Sequence, residues 1–169
     1  MNTSLHSVPD SADSERPTPV SLDRVISCAH ALTYELGVLV KDQAAGVVIE
    51  EVPFLFSFDA SERFLCVRAV WDTDAQPDRC KKQLFAASDW WNREKFIPTV
   101  YTMNSPDHHV QVCADFTVDT QCGLTDAQLS DNLAAGVSAG LEAIAYMRQA
   151  FTHTSVSYTH LRAHETGAY

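Results

Sequence analysis

The chain has 169 residues, of which 46% are hydrophobic, and a net charge of −10 at neutral pH. This length and composition suit one globular domain with a substantial core. The acidic balance excludes nucleic acid and anionic membranes as expected partners, because like charges repel, and no apolar stretch has the length of a membrane span.

The first segment, residues 1–19, is rich in serine, threonine, proline and aspartate and has no apolar core of the kind found in signal peptides. We interpret it as a disordered leader. The remaining expectations for the domain organisation are a folded domain over residues 20–152, a non-native or disordered tail over residues 153–169, and a cytoplasmic location.

The first half of the domain predicts one helix followed by three strands. Ser21 is a suitable N-cap, apolar residues then recur at helical spacing as far as Leu36, and Gly37 can end the helix. Pro53 separates the first two strand-like runs or places them at an edge. The three runs cover residues 46–50, 54–58 and 64–71.

The second half predicts a helix over residues 78–92, two strands over residues 96–103 and 109–118, and a final helix. Thr125 and Gln128 form a capping box at the start of that last helix, which continues to about Phe151. Consecutive strands that are not separated by helices favour an antiparallel sheet. The predicted fold class is therefore α+β, with five strands and three helices.

Two glycines, Gly136 and Gly140, are spaced by four residues within the final helix. Such a pair lets another element approach the helix closely, a rule that is best established in membranes. We expect the pair to pack tightly on the sheet or on the first helix rather than to form a dimer seam.

The stretch from Trp90 to Arg93 is the most specific part of the sequence. Adjacent tryptophans on a helix project about 100° apart, so one can enter the core while the other lies at its rim. Arg93 and Asn92 suit the end of a helix. Packing and capping thus account for all four residues, and a binding role requires an exposed tryptophan beside Arg93 in a groove. The candidate binding residues are Trp90, Trp91, Asn92, Arg93 and Tyr101.

The sequence assigns no catalytic residue, metal or cofactor. The number of cysteines is odd and no pair has the C-x-x-C spacing, which argues against a zinc site or a disulfide framework. Cys122, in a predicted loop, is the candidate reactive thiol, although no basic residue or histidine is near it in sequence. Asp107, His108 and His109 near Cys113 and Asp115 resemble a metal cluster, but a polar surface turn also explains them.

Residues 156–166 read Val-Ser-Tyr-Thr-His-Leu-Arg-Ala-His-Glu-Thr and resemble the in-frame translation of a transposase-type sequencing adapter. We therefore expect the natural sequence to end near Thr154. His160 and His164 are four residues apart, as a metal-binding pair on a helix requires. If the segment derives from an adapter, that spacing has no functional meaning.

Two blocks of sequence carry a resemblance to a known family. The first is Trp91-Asn92-Arg93 followed by Pro98-Thr99-Val100-Tyr101, and the second is Cys113–Phe116 followed by Gly123–Leu129. With them the chain resembles the YbjN-domain family of proposed sensory transduction regulators over roughly residues 21–151, and actinobacterial members look most similar.

The resemblance implies a fold like that of type III secretion chaperones, which are often dimeric. Its elements would be a five-stranded antiparallel sheet and three helices in the order α-β-β-β-α-β-β-α. It also implies a non-enzymatic binding or regulatory role, and the family offers no established catalytic residues to carry over.

Three functional hypotheses follow from the sequence. The first is a cytoplasmic, chaperone-like module that holds a protein or peptide on its sheet face or in a groove beside Trp90 and Arg93. The second is a small hydrolase or thiol enzyme that uses Cys122 or the turn at His108 and His109. The third is a structural homodimer held by the last helix or by a sheet edge.

Overall fold

The computed structural model describes residues 16–163, with side chains at all of these except 79 and 153–163. The elements are α1 (Leu22–Ala31), β1 (Gly37–Val40), β2 (Ala44–Ile49), β3 (Val52–Phe58), β4 (Phe64–Asp72), α2 (Pro77–Glu94), β5 (Thr99–Asn104), β6 (Val110–Asp119) and α3 (Asp126–Ala163). Most of the predicted leader, residues 1–15, and the last part of the predicted tail, residues 164–169, lie outside this description.

The strands form one antiparallel sheet in the order β1-β2-β3-β4-β6-β5. The prediction of an α+β fold with three helices and an antiparallel sheet is confirmed. The predicted number of five strands is wrong, because the sheet has six. Strand order departs from chain order only where β6 lies between β4 and β5, which leaves β5 as one edge of the sheet and β1 as the other.

The additional strand is β1, and it arises because the first helix ends earlier than its apolar spacing suggests. The backbone N–H of Tyr34 donates to the carbonyl of Ala29 at 2.8 Å, and Thr33 adopts a φ of 72°. A left-handed residue of this kind ends a helix. Residues 32–36 therefore lie outside α1. The strand that pairs with β2 begins at Gly37.

All three helices pack on the same face of the sheet and bury its alternate apolar side chains. The two glycines of α3 touch that face: a Cβ at Gly140 would lie 2.9 Å from the Cβ of Ala69, and one at Gly136 would lie 3.0 Å from the Cβ of Val67. The expectation that this pair packs on the sheet is confirmed. No helix among the described residues is long and apolar enough to cross a membrane.

The start of the domain is fastened to the loop before α3. Thr18, which the composition places in the leader, exchanges two backbone hydrogen bonds with Leu124, at 3.1 and 3.0 Å. Arg24 donates to the carbonyl of Thr18 at 2.8 Å and to Asp126 at 2.6 Å. These contacts join the first helix to the start of the last one.

Candidate functional site

Two consecutive residues of α2 hold the segment that leads into the edge strand β5. Trp91 is only 2% exposed, and its indole N–H donates to the carbonyl of Pro98 at 3.0 Å. The Asn92 amide donates to the carbonyl of Val100 at 2.7 Å and accepts from the N–H of the same residue at 2.8 Å. The distance in sequence between Trp91-Asn92 and Pro98–Val100 is therefore explained by these hydrogen bonds, which join the end of α2 to the start of β5.

Trp90 and Arg93, the other two members of the motif, have different partners. Trp90 is 42% exposed, and its ring stacks on Tyr146 of α3 with the centroids 5.1 Å apart. Arg93 is exposed and pairs with Asp89 one helical turn earlier, with 3.2 Å between nitrogen and oxygen. Trp90 therefore belongs to the contact between α2 and α3, whereas Arg93 lies at the surface beside Asp89.

A cleft of about 240 Å³ lies between α2 and β5. Two of the five candidate binding residues, Asn92 and Tyr101, line it. On the helix side its residues are spaced as i, i+3, i+4 and i+7, which is one face of a helix. The complete lining is Phe85, Ser88, Asp89, Asn92, Val100, Tyr101 and Thr102.

The candidate binding residues did not include five members of this site, which are Phe85, Ser88, Asp89, Val100 and Thr102. Phe85 and Asp89 precede Asn92 by seven and three residues, so the helical spacing counted back from Asn92 was a signal that could have found them. No comparable signal marks Thr102, because its position depends on β5 being the edge of the sheet.

The edge strand offers hydrogen-bonding groups to this cleft. Both backbone groups of Val100 bond to the Asn92 side chain, so they point away from β6. Along an antiparallel strand the direction of these groups alternates from one residue to the next. The N–H and C=O of Thr102, two residues further, therefore also point toward the cleft, where they can pair with another strand.

Tyr101 belongs to a polar cluster on the sheet face opposite the helices. Its hydroxyl donates to Asp115 at 3.1 Å, and the Arg68 guanidinium binds the same carboxylate through two nitrogens at 2.7 and 2.8 Å. Burial is the main cause that raises the pKa of Tyr101, and the hydrogen bond to Asp115 is the main cause that raises the pKa of Arg68. Both groups are therefore protonated at neutral pH, and the cluster joins β4, β6 and β5.

The cysteines of the sheet are not activated. Burial raises the pKa of Cys66 to about 11 and also raises the pKa of Cys113, whereas a nucleophilic thiol requires a lowered value. Cys113 is buried beside the Met103 sulfur at 3.7 Å, although the alternation of β6 had predicted it on the wet face. Side chains from β5 cover this position, which a single-strand pattern does not reveal.

The potential metal ligands of the described residues meet at a different place from the predicted cluster. Asp72, Asp74 and His109 have ligand atoms within 4.8 Å of one another. Of the predicted residues only His109 belongs to this group, while Asp115 is bound to Arg68. The group lies at a partly exposed turn where acidic side chains are common without a metal, and we assign no ion to it.

The enzymatic hypothesis required a pocket in which Cys122 and the two histidines converge. A second cleft of about 240 Å³ lies between the start of α1 and the turn after β1. Within residues 16–163, neither of the two clefts described is lined by Cys122, His108 or His109. The cleft beside β5, which contains two of the candidate binding residues, is therefore the candidate site.

The comparison with known proteins agrees with the motif and its geometry. The model of the YbjN family, described as "Putative bacterial sensory transduction regulator", matches residues 21–149. The chain belongs to the YbjN family. The matched range contains every element from α1 to β6, both walls of the cleft, and most of α3.

The solved structures that resemble this YbjN-family chain include the crystal structure of "YbjN, a putative transcription regulator from E. coli". It is 15% identical, covers 82% of this chain and 96% of its own, and has a TM-score of 0.62, which shows the shared fold. The HopA1–SchA chaperone–effector complex also matches, at 14% identity, 78% and 97% coverage and a TM-score of 0.48. No curated protein matches the sequence.

Proposed function

We propose that this YbjN-family protein is a non-enzymatic, cytoplasmic binding and regulatory module that takes an extended segment of a partner protein as an additional strand on β5. The observation that carries the proposal is the direction of the Thr102 backbone, whose N–H and C=O point to the open edge of the sheet within the cleft beside α2. Strand addition is a common mode of peptide recognition, in which main-chain hydrogen bonds supply affinity and pockets supply specificity.

The side chains around this edge indicate the chemistry of the partner segment. Phe85 is 65% exposed on the helix side of the cleft. Asp89 supplies a carboxylate whose described partner is the exposed Arg93. Together with the net charge of −10, these groups favour a segment that contains both apolar and basic residues.

A fluorescently labelled peptide of alternating valine and lysine is a suitable probe, because it presents an apolar and a basic face. Its affinity for the full chain can be measured by fluorescence anisotropy, with valine–glutamate repeats as the control peptide. The decisive variant is Thr102→Pro, which removes the N–H that points to the cleft. Proline is tolerated on edge strands when the lost N–H faces outward.

We expect Thr102→Pro to weaken binding of the valine–lysine peptide by about ten-fold, the equivalent of one lost hydrogen bond. Phe85→Ala should also weaken binding, whereas its matched control Phe96→Ala, an exposed phenylalanine outside the cleft lining, should not. Equal affinity of the wild type and Thr102→Pro for the probe would contradict strand addition at β5.

A further inference from the structure

Asn104 is a second residue of β5 whose backbone can pair with another strand. It faces Val110 in the register of β5 and β6. The N–H of Val110 donates to the carbonyl of Ala75 at 3.0 Å, and its carbonyl accepts from the N–H of Thr73 at 3.1 Å. Val110 therefore directs both groups away from β5, and in an antiparallel ladder the residue that faces it does the same. The N–H and C=O of Asn104, like those of Thr102, point to the outside of the sheet.

Asn92 occupies the next pairing position along this edge. Its carboxamide donates to the carbonyl of Val100 at 2.7 Å and accepts from the N–H of Val100 at 2.8 Å. Two bonds exchanged with one residue are the pattern of a hydrogen-bonded pair in an antiparallel ladder. A foreign strand that pairs with Thr102 and Asn104 therefore finds the position opposite Val100 already filled. The edge is closed at Val100 and open at Asn104.

The two faces of the sheet present different groups to a strand that is added here. Successive side chains of a strand point to opposite faces, and residues that face each other share a face. A partner residue opposite Thr102 therefore projects into the cleft, which Phe85 and Asp89 line on the helix side. Its two neighbours project to the other face, beside Tyr101 and the 44% exposed Met103.

We propose that the partner segment runs antiparallel to β5 and carries a lysine or arginine between two apolar residues, with the basic residue opposite Thr102. Its register and side-chain pattern rest on the proposed strand addition and specify it further, and Asn92 is the residue that ends the pairing. Asp89 selects the positive charge, because its side chain is 51% exposed and pairs only with the exposed Arg93 among its described ion pairs. The methylene stem of the basic residue packs on Phe85.

Fluorescence anisotropy of the full chain with methylated peptides tests the register. The probe has the core serine-valine-lysine-valine, with the dye at its amino end, which lies at the open end of the edge. In the proposed register its lysine faces Thr102 and its serine faces Asn104. A methyl group on the backbone nitrogen of the lysine or the serine removes one bond to β5 and should weaken binding by about ten-fold.

The two valines provide the matched controls. Their N–H groups point away from β5, so methylation of either backbone nitrogen should leave the affinity unchanged. Losses at a valine, or equal losses at all four positions, would overturn the register. Thr102→Pro separates this failure from a failure of strand addition. If that variant weakens binding of the unmethylated probe while a methylated valine also does, β5 remains the binding edge. If it does not, both proposals fail.

The closed end of the edge is tested by the length of the probe. Two further residues after the second valine would reach the position opposite Val100, which Asn92 fills, so they should leave the affinity unchanged. Removal of the serine gives up the pairing with Asn104 and should weaken binding by about ten-fold. An extension after the second valine that tightens binding would contradict the role of Asn92.

Asp89→Asn tests the selection of the basic residue. The probe is compared with a version in which norleucine, which keeps the stem without the charge, replaces lysine. The ratio of the two affinities should favour lysine by about three-fold more in the wild type than in Asp89→Asn, as for a half-exposed ion pair. Glu94→Gln is the control, because it removes the same charge from α2 outside the cleft lining. An equal ratio in the wild type and Asp89→Asn would contradict the selection by Asp89.

Discussion

Asn92 stabilises the junction between α2 and β5 because one side chain satisfies both backbone groups of Val100. Without it these groups would be an unpaired part of the sheet edge. Trp91 acts on the same junction through its bond to Pro98 and through its burial. The motif that identifies the family therefore has a chiefly structural role, and the backbone of β5 that can pair with another strand follows it, at Thr102.

Replacing Asn92 by alanine should lower the free energy of unfolding by about 1 to 3 kcal/mol, because it leaves the N–H and C=O of Val100 unpaired. The neighbouring Arg93→Ala is the matched control. Its ion pair with Asp89 is exposed, so the change should be no more than about 0.5 kcal/mol. Urea denaturation of both variants measures the difference, and equal effects would contradict the role of Asn92 as a joint.

Asp59 is the residue from which we expect a dependence of stability on pH. Its carboxylate accepts from the Ser61 hydroxyl and from the N–H groups of Ser61, Arg63 and Phe64. The Ser61 hydroxyl bond is the largest cause that lowers the pKa of Asp59 to about 2, from an ordinary value of 3.8. A lowered pKa stabilises the fold above pH 4, and this contribution is lost as the pH falls toward 2.

In the Asp59→Asn variant the side chain does not titrate, so its contribution to stability does not change between pH 4 and pH 2. Its midpoint of urea denaturation should therefore decrease less between pH 4 and pH 2 than that of the wild type. The other carboxylates, among them Asp119 with its lowered pKa, remain in both proteins and serve as an internal control. Identical pH profiles for the two proteins would show that the turn at Asp59 does not carry this dependence.

At the scale of elements, periodicity predicted the three helices and five of the six strands. The first helix was predicted to be too long because its apolar spacing continues to Leu36. Thr33, whose left-handed conformation ends the helix, is not a glycine and therefore gives no signal in the sequence. The predicted strand from residue 96 begins at Thr99 instead, since Phe96 has a φ of 58° and the chain is irregular before Pro98.

The cleft could be predicted only in part for a related reason. Asn92 and Tyr101 were found because they belong to the recognisable motif. Thr102 could not be found, because its accessible backbone depends on the order β4-β6-β5, which a hairpin prediction does not provide. A sequence pattern within one segment does not show the order of strands in a sheet, so it cannot predict which backbone groups lie at an edge.

The contact between α3 and the sheet leads to a prediction about Gly140. In an exposed helix, alanine is more stable than glycine by about 1 kcal/mol. Here the added methyl would lie 2.9 Å from Ala69 and from Phe54, so overpacking should outweigh that gain and Gly140→Ala should lower stability by about 1 kcal/mol or more.

The exposed Ala135 is the matched control for this change. Ala135→Gly removes a methyl group from the same helix and should cost about 1 kcal/mol through helix propensity alone. Urea denaturation measures both variants. A Gly140→Ala protein that is more stable than the wild type would show that the helix does not rest on the sheet as closely as described.

At the scale of the whole molecule, the net charge of −10 acts on any charged partner before contact is made. Attraction of this kind is screened by salt over about 8 Å at physiological ionic strength. The affinity for the valine–lysine probe should therefore decrease as salt is added, and the valine–glutamate control should bind weakly at every salt concentration. Anisotropy titrations at low and high salt measure this, and salt-independent affinity would contradict a basic partner.

Amide hydrogen exchange of Thr102, followed by NMR with and without saturating valine–lysine peptide, tests the central claim most directly. If the peptide adds to β5 as a strand, the N–H of Thr102 becomes a hydrogen-bond donor and its exchange slows. The amides of β1 at the opposite edge should keep their exchange rates at constant protein concentration. Unchanged exchange at Thr102, with the peptide demonstrably bound, would contradict strand addition at this edge.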